Sequence, residues 1–341
     1  MRSLVLLLLV AVVLSNCSND FDVAAPWKEV PIVYAILSPK DTAHYVRIEK
    51  AFLDPEASAL EIAQIADSLY YPDNSITVWL ERPATNSRVQ LHRVDGNLEG
   101  YVRDQGIFAD QPNWLYKLKP PVGQNLTPGE TYKLVIVRND GREDITAQTT
   151  LPKDFVITRP NPTDIVRKIS FAYSTTSTVD WRTDENGYFF NITYILPYRE
   201  EAPDGTTLLR DTLVWQAARN VEREETTVSQ GTYKGTKDIA GSQFFKFLAE
   251  QLQPTSNFRY FEKGFIYLEG GGREIKEFNV TAAANSGLTG AEVYPVYTNV
   301  SEGFGLVTGK NLFKMGNIQI SEATIDSMFY HPLTQGLKFR L

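Results

Sequence analysis

The sequence predicts a mainly β protein built as two β-sandwich domains, with two short helices inserted between strands. Three observations carry that expectation. Alternating or β-branched runs recur along the chain, each closed by Gly, Pro, Asn or Asp. Residues 126–152 read as a complete hairpin, and Pro152, Pro160 and Pro162 cluster directly behind it. The length, 341 residues, exceeds the usual single-domain range of roughly 100–200. The expected division is residues 27–152 and 153–341. An apolar fraction of 43% suffices for packed cores and excludes global disorder.

Pro31 to Leu37 (PIVYAIL) reads as a buried strand, and Tyr45 to Phe52 alternates with Val46 and Ile48 on one face. Residues 55–69 are rich in Ala, Glu and Leu and hold no Gly, which predicts the first helix, with Leu60, Ile62, Ala63 and Ala66 apolar. Ser75 to Glu81 alternates Ile76, Val78 and Leu80 against Thr77, Trp79 and Glu81. Gln90–Val94 and Gly100–Arg103 flank Asp95-Gly96-Asn97 as an expected hairpin. Lys133–Arg138 and Asp144–Leu151 flank Asn139-Asp140-Gly141, where Gly takes positive φ without penalty. With Leu126-Thr127-Pro128-Gly129-Glu130-Thr131-Tyr132 ahead of it, this segment resembles the terminal hairpin of an immunoglobulin or fibronectin-III sandwich.

In the second half, Lys168–Tyr173, Val179–Thr183 and Tyr188–Tyr198 read as strands, with Asp184-Glu185-Asn186-Gly187 as a turn and Asp204-Gly205 as a loop tip. Ser242–Gln253 is the second expected helix, capped by Ser242, apolar through Phe244, Phe245, Phe247, Leu248 and Leu252, and ended by Pro254. Phe258–Glu269 and Arg273–Thr281 are expected strands around a Gly270-Gly271-Gly272 tip. No fixed-period repeat is visible.

The single cysteine, Cys17, excludes an intramolecular disulfide framework and any multi-cysteine zinc site. It ends a short N-terminal run: Arg2 supplies a positive start, and Leu4–Leu14 holds no polar residue. Eleven apolar residues are too few to span a hydrocarbon core, which needs about 20. The lengths fit a secretory signal, expected over residues 1–16. Leu14-Ser15-Asn16-Cys17 resembles a bacterial lipobox, although Asn16 stands where Gly or Ala is usual. The resemblance implies cleavage before Cys17 and attachment of a lipid to its sulfur, with residues 17–26 as a tether. Acyl chains contribute about 0.8 kcal/mol per buried CH₂, so two or three would anchor stably. Ser18 after Cys17 resembles an outer-membrane sorting signal. Asp20 and Asp22 resemble the surface-export signal of Bacteroidota lipoproteins, the plainer reading being a polar tether.

The net charge is −7, and losing residues 1–16, whose one charge is Arg2, makes it −8. An acidic chain lacks the basic footprint that nucleic acid requires, and gains nothing from anionic headgroups. Membrane attachment is therefore expected through lipid.

No catalytic residues are predicted. His44, His92 and His331 lie far apart and form no HExxH or HxH, so no metal site and no cofactor is expected. There is no G-x-S-x-G elbow, no P-loop, and no cysteine after Cys17. Glu269 and Glu274 bracket the triple glycine, and Glu200, Glu201, Glu222, Glu224 and Glu225 lie in polar runs. Solvated surface charge is the plainer reading; a glycosidase pair is the sharper one. Asp184–Gly187 is too short for an EF-hand loop. Among Trp27, Trp79, Trp114, Trp181 and Trp215, sandwich packing is the plainer role, and Trp114, in a Pro/Asn-rich stretch, is the candidate ligand-binding aromatic. Asp followed by Ser or Thr and then an aliphatic residue, Met or Thr resembles the Bacteroidota O-glycosylation acceptor, which makes Thr42, Ser68, Thr212 and Ser327 candidate sites.

Tyr294-Pro295-Val296-Tyr297-Thr298-Asn299-Val300 leads into Glu302-Gly303-Phe304-Gly305-Leu306, and Pro332-Leu333-Thr334 through Leu337-Lys338-Phe339 closes the chain. Together with the lipobox and the early hairpin, these resemble an uncharacterised Bacteroidota family of outer-membrane lipoproteins, a domain of unknown function often encoded beside TonB-dependent receptors. That resemblance implies no catalytic residues. Gly303 and Gly305 would permit a tight loop, read first as a structural turn. The expected function is a non-enzymatic, lipid-anchored outer-membrane protein that binds a glycan or peptide ligand or serves a TonB-dependent receptor complex. The alternatives are a surface glycan hydrolase with paired carboxylates and a structural adhesin-like module.

Overall fold

The computed structural model describes residues 29–51, 58–229, 231–285 and 296–341; Cys17, Trp27 and the segments 1–16 and 17–26, expected as signal and tether, lie outside them. The chain is mainly β, with 48% strand against 15% helix. The first half holds β1 (Val30–Leu37), β2 (His44–Ala51), β3 (Ile76–Arg82), β4 (Ser87–Asp95), β5 (Trp114–Leu118), β6 (Thr131–Arg138) and β7 (Ile145–Thr150). The second holds β8 (Val156–Arg159), β9 (Arg167–Ile169), β10 (Thr176–Thr183), β11 (Phe189–Glu201), β12 (Thr207–Glu222), β13 (Thr227–Ser229), β14 (Thr232–Ala240), β15 (Phe258–Phe261) and β16 (Gly264–Gly271). The chain then closes with β17 (Phe304–Ile320) and β18 (Phe339–Arg340).

Up to β16, the two larger hydrophobic clusters divide between Leu151 and Phe155. The first is lined by the inward residues of alternating strands, such as Val33, Ala35 and Leu37 on β1 and Val46 and Ile48 on β2. Its strands follow the order β17-β1-β2-β5-β4-β3-β6-β7. A bridge between Ala147 and Val300 brings the β7 edge back toward the start of β17, so the sheet curls around one core. The hairpin β6–β7 pairs Thr131 with Thr150, as its turn residues predict. Tyr132 is buried, and its hydroxyl accepts from the Thr127 N–H at 2.8 Å, which ties the preceding turn to the strand.

In the second half, a four-stranded sheet, β13-β14-β10-β8, lies across the larger sheet. Trp181, Val179, Ile157 and Ile239 from the small sheet meet Phe190, Tyr194 and Trp215 in one aromatic core. The helix Gly241–Gln251 adds buried Phe244, Phe245 and Leu248.

The strand β17 joins the two halves. Its first residues pair parallel with β1, Phe304 opposite Ile32, while Lys310 to Ile318 pair antiparallel with β16. Val300 and Val307 thus belong to the first cluster, and Met315, Ile318 and Ile320 to the second.

Several local expectations are corrected. Five short helices occur among the described residues, where two were expected. Arg273–Asn285 is helical, with Ile275 and Phe278 three apart and Arg273 paired to Glu277 at 3.5 Å in the i,i+4 relation. Gly270 and Gly271 are consequently the end of β16, not a hairpin tip. A Cβ on Gly270 would lie 2.5 Å from the Phe190 ring and 2.8 Å from that of Phe155. Gly100–Arg103 forms no strand; β4 pairs with β5 instead, Asp95 opposite Trp114. The helical segment after residue 57 breaks into Ala59–Ala63 and Ala66–Leu69, leaving Leu60 exposed and Ala63 buried. Ser242 is not a cap, since Ala240 takes that position. The helix Glu322–Tyr330 was not expected, and its cap is Ser321, which accepts from Thr324 N–H.

Candidate functional site

Three cavities stand out among the described residues. One, of about 420 Å³, is a C-terminal groove between Phe258, Phe329 and Phe339, already occupied at its edge by Arg340, whose guanidinium lies 4.6 Å from the Phe329 ring. A second, of about 430 Å³, lies beneath the proline-rich loop Pro120–Thr127 against Leu80 and Leu118. The third, of about 350 Å³, collects charged and aromatic side chains from several separate segments. Convergent polar groups with a perturbed carboxyl mark it as the best candidate site.

This cavity sits where the two clusters meet. Thr150 closes β7, Glu185 and Asn186 come from the turn before β11, Tyr233 from β14, and Arg273 and Glu274 from the first turn of the helix Arg273–Asn285. Backbone bonds hold these segments in place. Tyr188 N–H donates to Gly271 C=O at 3.0 Å, Arg223 N–H to Tyr188 C=O at 3.1 Å, and Gly272 N–H to Gly309 C=O at 2.9 Å. The Asp184–Gly187 turn is held by its own carboxylate, which accepts from Lys153 N–H at 3.3 Å and from Asn186 Nδ2 at 2.9 Å.

Arg223 is 7% exposed. Its guanidinium lies 3.5 Å from the Tyr233 ring centroid and 4.7 Å from that of Tyr188, a cation–π arrangement worth about 2 kcal/mol when shielded from water. Glu274 is half-buried and accepts from Thr308 Oγ1 at 3.2 Å. Burial pushes its carboxyl above the ordinary glutamate value, outweighing the hydrogen bonds that favour the anion. Tyr297 is nearby: burial first, then the charges of Glu274 and Glu277, push its hydroxyl up. The Tyr-Thr-Asn motif thereby borders the site, while Asn299 itself is structural, its side chain donating to Val307 C=O at 2.7 Å and accepting from Val307 N–H at 3.0 Å.

The other sequence candidates lie elsewhere. Trp114 is half-buried, not exposed: it packs on Leu69, Tyr70 and Ala109 and is covered by the Arg93 guanidinium at 4.4 Å. Thr42 is exposed between β1 and β2, and Thr212 is exposed on β12. Ser68 is half-buried in a short helix, and Ser327 is half-buried with its hydroxyl accepting from Tyr173 N–H at 3.1 Å. Trp181 and Trp215 are core residues, and Trp79 carries Arg88 over its ring at 4.2 Å. His44 is buried, whereas His331 stacks on Tyr173 at 4.0 Å. Among the described residues no group of three or more His, Cys, Asp or Glu converges as a metal site, and no helix is long and apolar enough to cross a membrane.

Glu222, Glu224, Glu225 and Glu274 stand in the sequence as ordinary surface charge, and Arg223 within that acidic run carries no motif. A buried arginine flanked by glutamates has no periodic or spacing signal, so only the fold exposes it.

No protein-family model and no curated protein matches the chain. Among solved structures, trypsin-activated alpha-2-macroglobulin from Escherichia coli is similar at 9% identity and a TM-score of 0.18, over 74% of this chain. The chain spans 15% of that protein's length, and a likeness of this size carries no argument.

Proposed function

We propose that the chain is a non-enzymatic, lipid-anchored outer-membrane protein that binds a small polar ligand, alone or as an accessory subunit of a TonB-dependent receptor. The anchor rests on the spacing of Arg2, Leu4–Leu14 and Cys17. The binding role rests on one observation: a cavity of about 350 Å³ into which Arg223, Tyr188, Tyr233 and Glu274 converge. Its volume is that of a small-ligand pocket. A structural adhesin-like module would work through a flat face, and the cavity favours ligand binding over it.

Two experiments test this reading. Cys17→Ser should move the protein from the membrane to the soluble fraction; continued sedimentation with membranes would sink the anchor. Affinity capture of the tagged native protein from outer membranes should recover a barrel receptor, and repeated recovery of the protein alone would count against a stable complex.

One observation favours a second reading, a glycan hydrolase. Glu185 and Glu274 border the same cavity, and Glu274 is the one with the raised pKa expected of a general acid. Such chemistry requires carboxylates about 5–9.5 Å apart. Release of reducing sugar from surface polysaccharide, lost in both Glu185→Gln and Glu274→Gln, would replace the binding reading with this one.

A further inference from the structure

We infer that the cavity beside Arg223 is a carboxylate-binding site, in which the free edge of the Arg223 guanidinium forms a two-point contact with a carboxylate on a small ligand. This rests on the ligand-binding reading above and deepens it.

The guanidinium has three nitrogens, and the protein uses only one. Nη1 donates to the Glu224 carbonyl at 3.2 Å and lies 3.9 Å from the exposed Glu225 carboxylate. Among the described residues, the buried Nε has no hydrogen-bond partner and Nη2 makes no hydrogen bond. A side chain only 4% exposed that leaves an N–H unpaired carries a desolvation cost that no hydrogen bond among the described residues offsets at that N–H. The two tyrosine rings cover the face of the cation. Binding is thereby left to its edge, and the Nε–Nη2 edge presents two parallel N–H groups, the fork that matches a carboxylate.

The surrounding charges are already engaged. Glu222 and Glu225 pair with Lys276 at 3.3 and 3.6 Å, Glu224 with Lys234 at 3.8 Å, and Glu277 with Arg273 at 3.5 Å. Arg273 adds a second cation to the cavity wall. Burial shifts the Glu274 carboxyl toward its neutral form, and its Oε2 already accepts from Thr308 Oγ1 at 3.2 Å. Glu185 is exposed, where water screens its charge.

The test uses acetate as the bare carboxylate probe, with D-glucuronate, D-glucose 6-phosphate and D-glucose as comparison ligands. The Arg223 Nε–H resonance of the folded protein is followed by ¹H–¹⁵N NMR. Acetate and glucuronate should shift that resonance saturably, glucuronate with at least tenfold the affinity of glucose. Arg223→Lys, which keeps the charge and loses the fork, should weaken glucuronate binding tenfold or more while the remaining amide spectrum stays folded. If Arg223→Lys does not fold, the unsubstituted protein decides: a saturable shift of its Arg223 Nε–H resonance with glucuronate and none with glucose supports the inference, and equal shifts with both overturn it. An unmoved Arg223 resonance with either carboxylate overturns the inference. If glucose shifts the amides of Tyr188 and Tyr233 equally well, ligand binding stands and the carboxylate assignment falls. A preference for the phosphate sugar over glucuronate also overturns it, in favour of a phosphate site.

Discussion

Asn311 donates through Nδ2 to the carbonyl oxygen of Pro152 at 3.1 Å. The same nitrogen reaches the Lys153 carbonyl and the Asp154 carboxylate, each at 3.1 Å, and Asn311 is 1% exposed. The long strand β17 is thereby fastened to the chain at the point where the first cluster ends and the second begins. The candidate cavity lies at this seam, so its geometry depends on the attachment.

Asn311→Ala removes these bonds and leaves the carbonyls of Pro152 and Lys153 without their partner. A loss of about 2–3 kcal/mol is expected, since buried acceptors lose solvation as well as the bond. Urea denaturation measures it, and an unchanged midpoint would show that the seam does not depend on Asn311.

Gly305 has φ of +127°, and a Cβ there would stand 1.8 Å from the Val33 carbonyl oxygen. Both the backbone conformation and the parallel pairing with β1 therefore require glycine. Gly305→Ala should destabilise the protein by about 3 kcal/mol or more, read from thermal or urea unfolding. This is the physical content of the Gly-Phe-Gly motif: a close crossing of two strands.

Glu274 makes stability depend on pH. Burial raises its folded pKa above the unfolded value of 4.5, so the folded state holds the proton more tightly. Its contribution is present below pH 4.5 and is lost as pH rises from there through the raised value. Glu274→Gln should abolish that part of the decline. Unfolding midpoints of both proteins at several pH values check the sign; parallel curves would refute it.

His44 acts in the opposite direction. It is 2% exposed, neither ring nitrogen has a hydrogen-bond partner among the described residues, and burial lowers its pKa from 6.5 against the smaller pull of Asp41. The unfolded chain takes up a proton near pH 6.5 that the folded chain refuses. Stability should fall below pH 6.5, by at most about 1.4 kcal/mol per pH unit, until the folded pKa is reached. His44→Leu should flatten this slope; a slope that persists would assign it to another group.

The strand class, the β6–β7 hairpin and the phenylalanine-rich helix were legible because their signals are local. Alternation, turn glycines and a run such as Phe244, Phe245 and Leu248 act over a few residues. Arg273–Thr281 was misread because three glycines resemble a hairpin tip. Their true reason, the Phe155 and Phe190 rings packed against Gly270, comes from residues distant in sequence.

The sequence by itself determined a mainly β chain, an acidic surface, and the N-terminal pattern ending at Cys17. Only the tertiary structure decided that β17 pairs with both β1 and β16, and that Arg223 and Glu274 share a cavity. Strand partners are chosen by long-range packing, and burial of a charged side chain depends on what folds over it. Both are properties of the assembled chain, and no local pattern of residues encodes them.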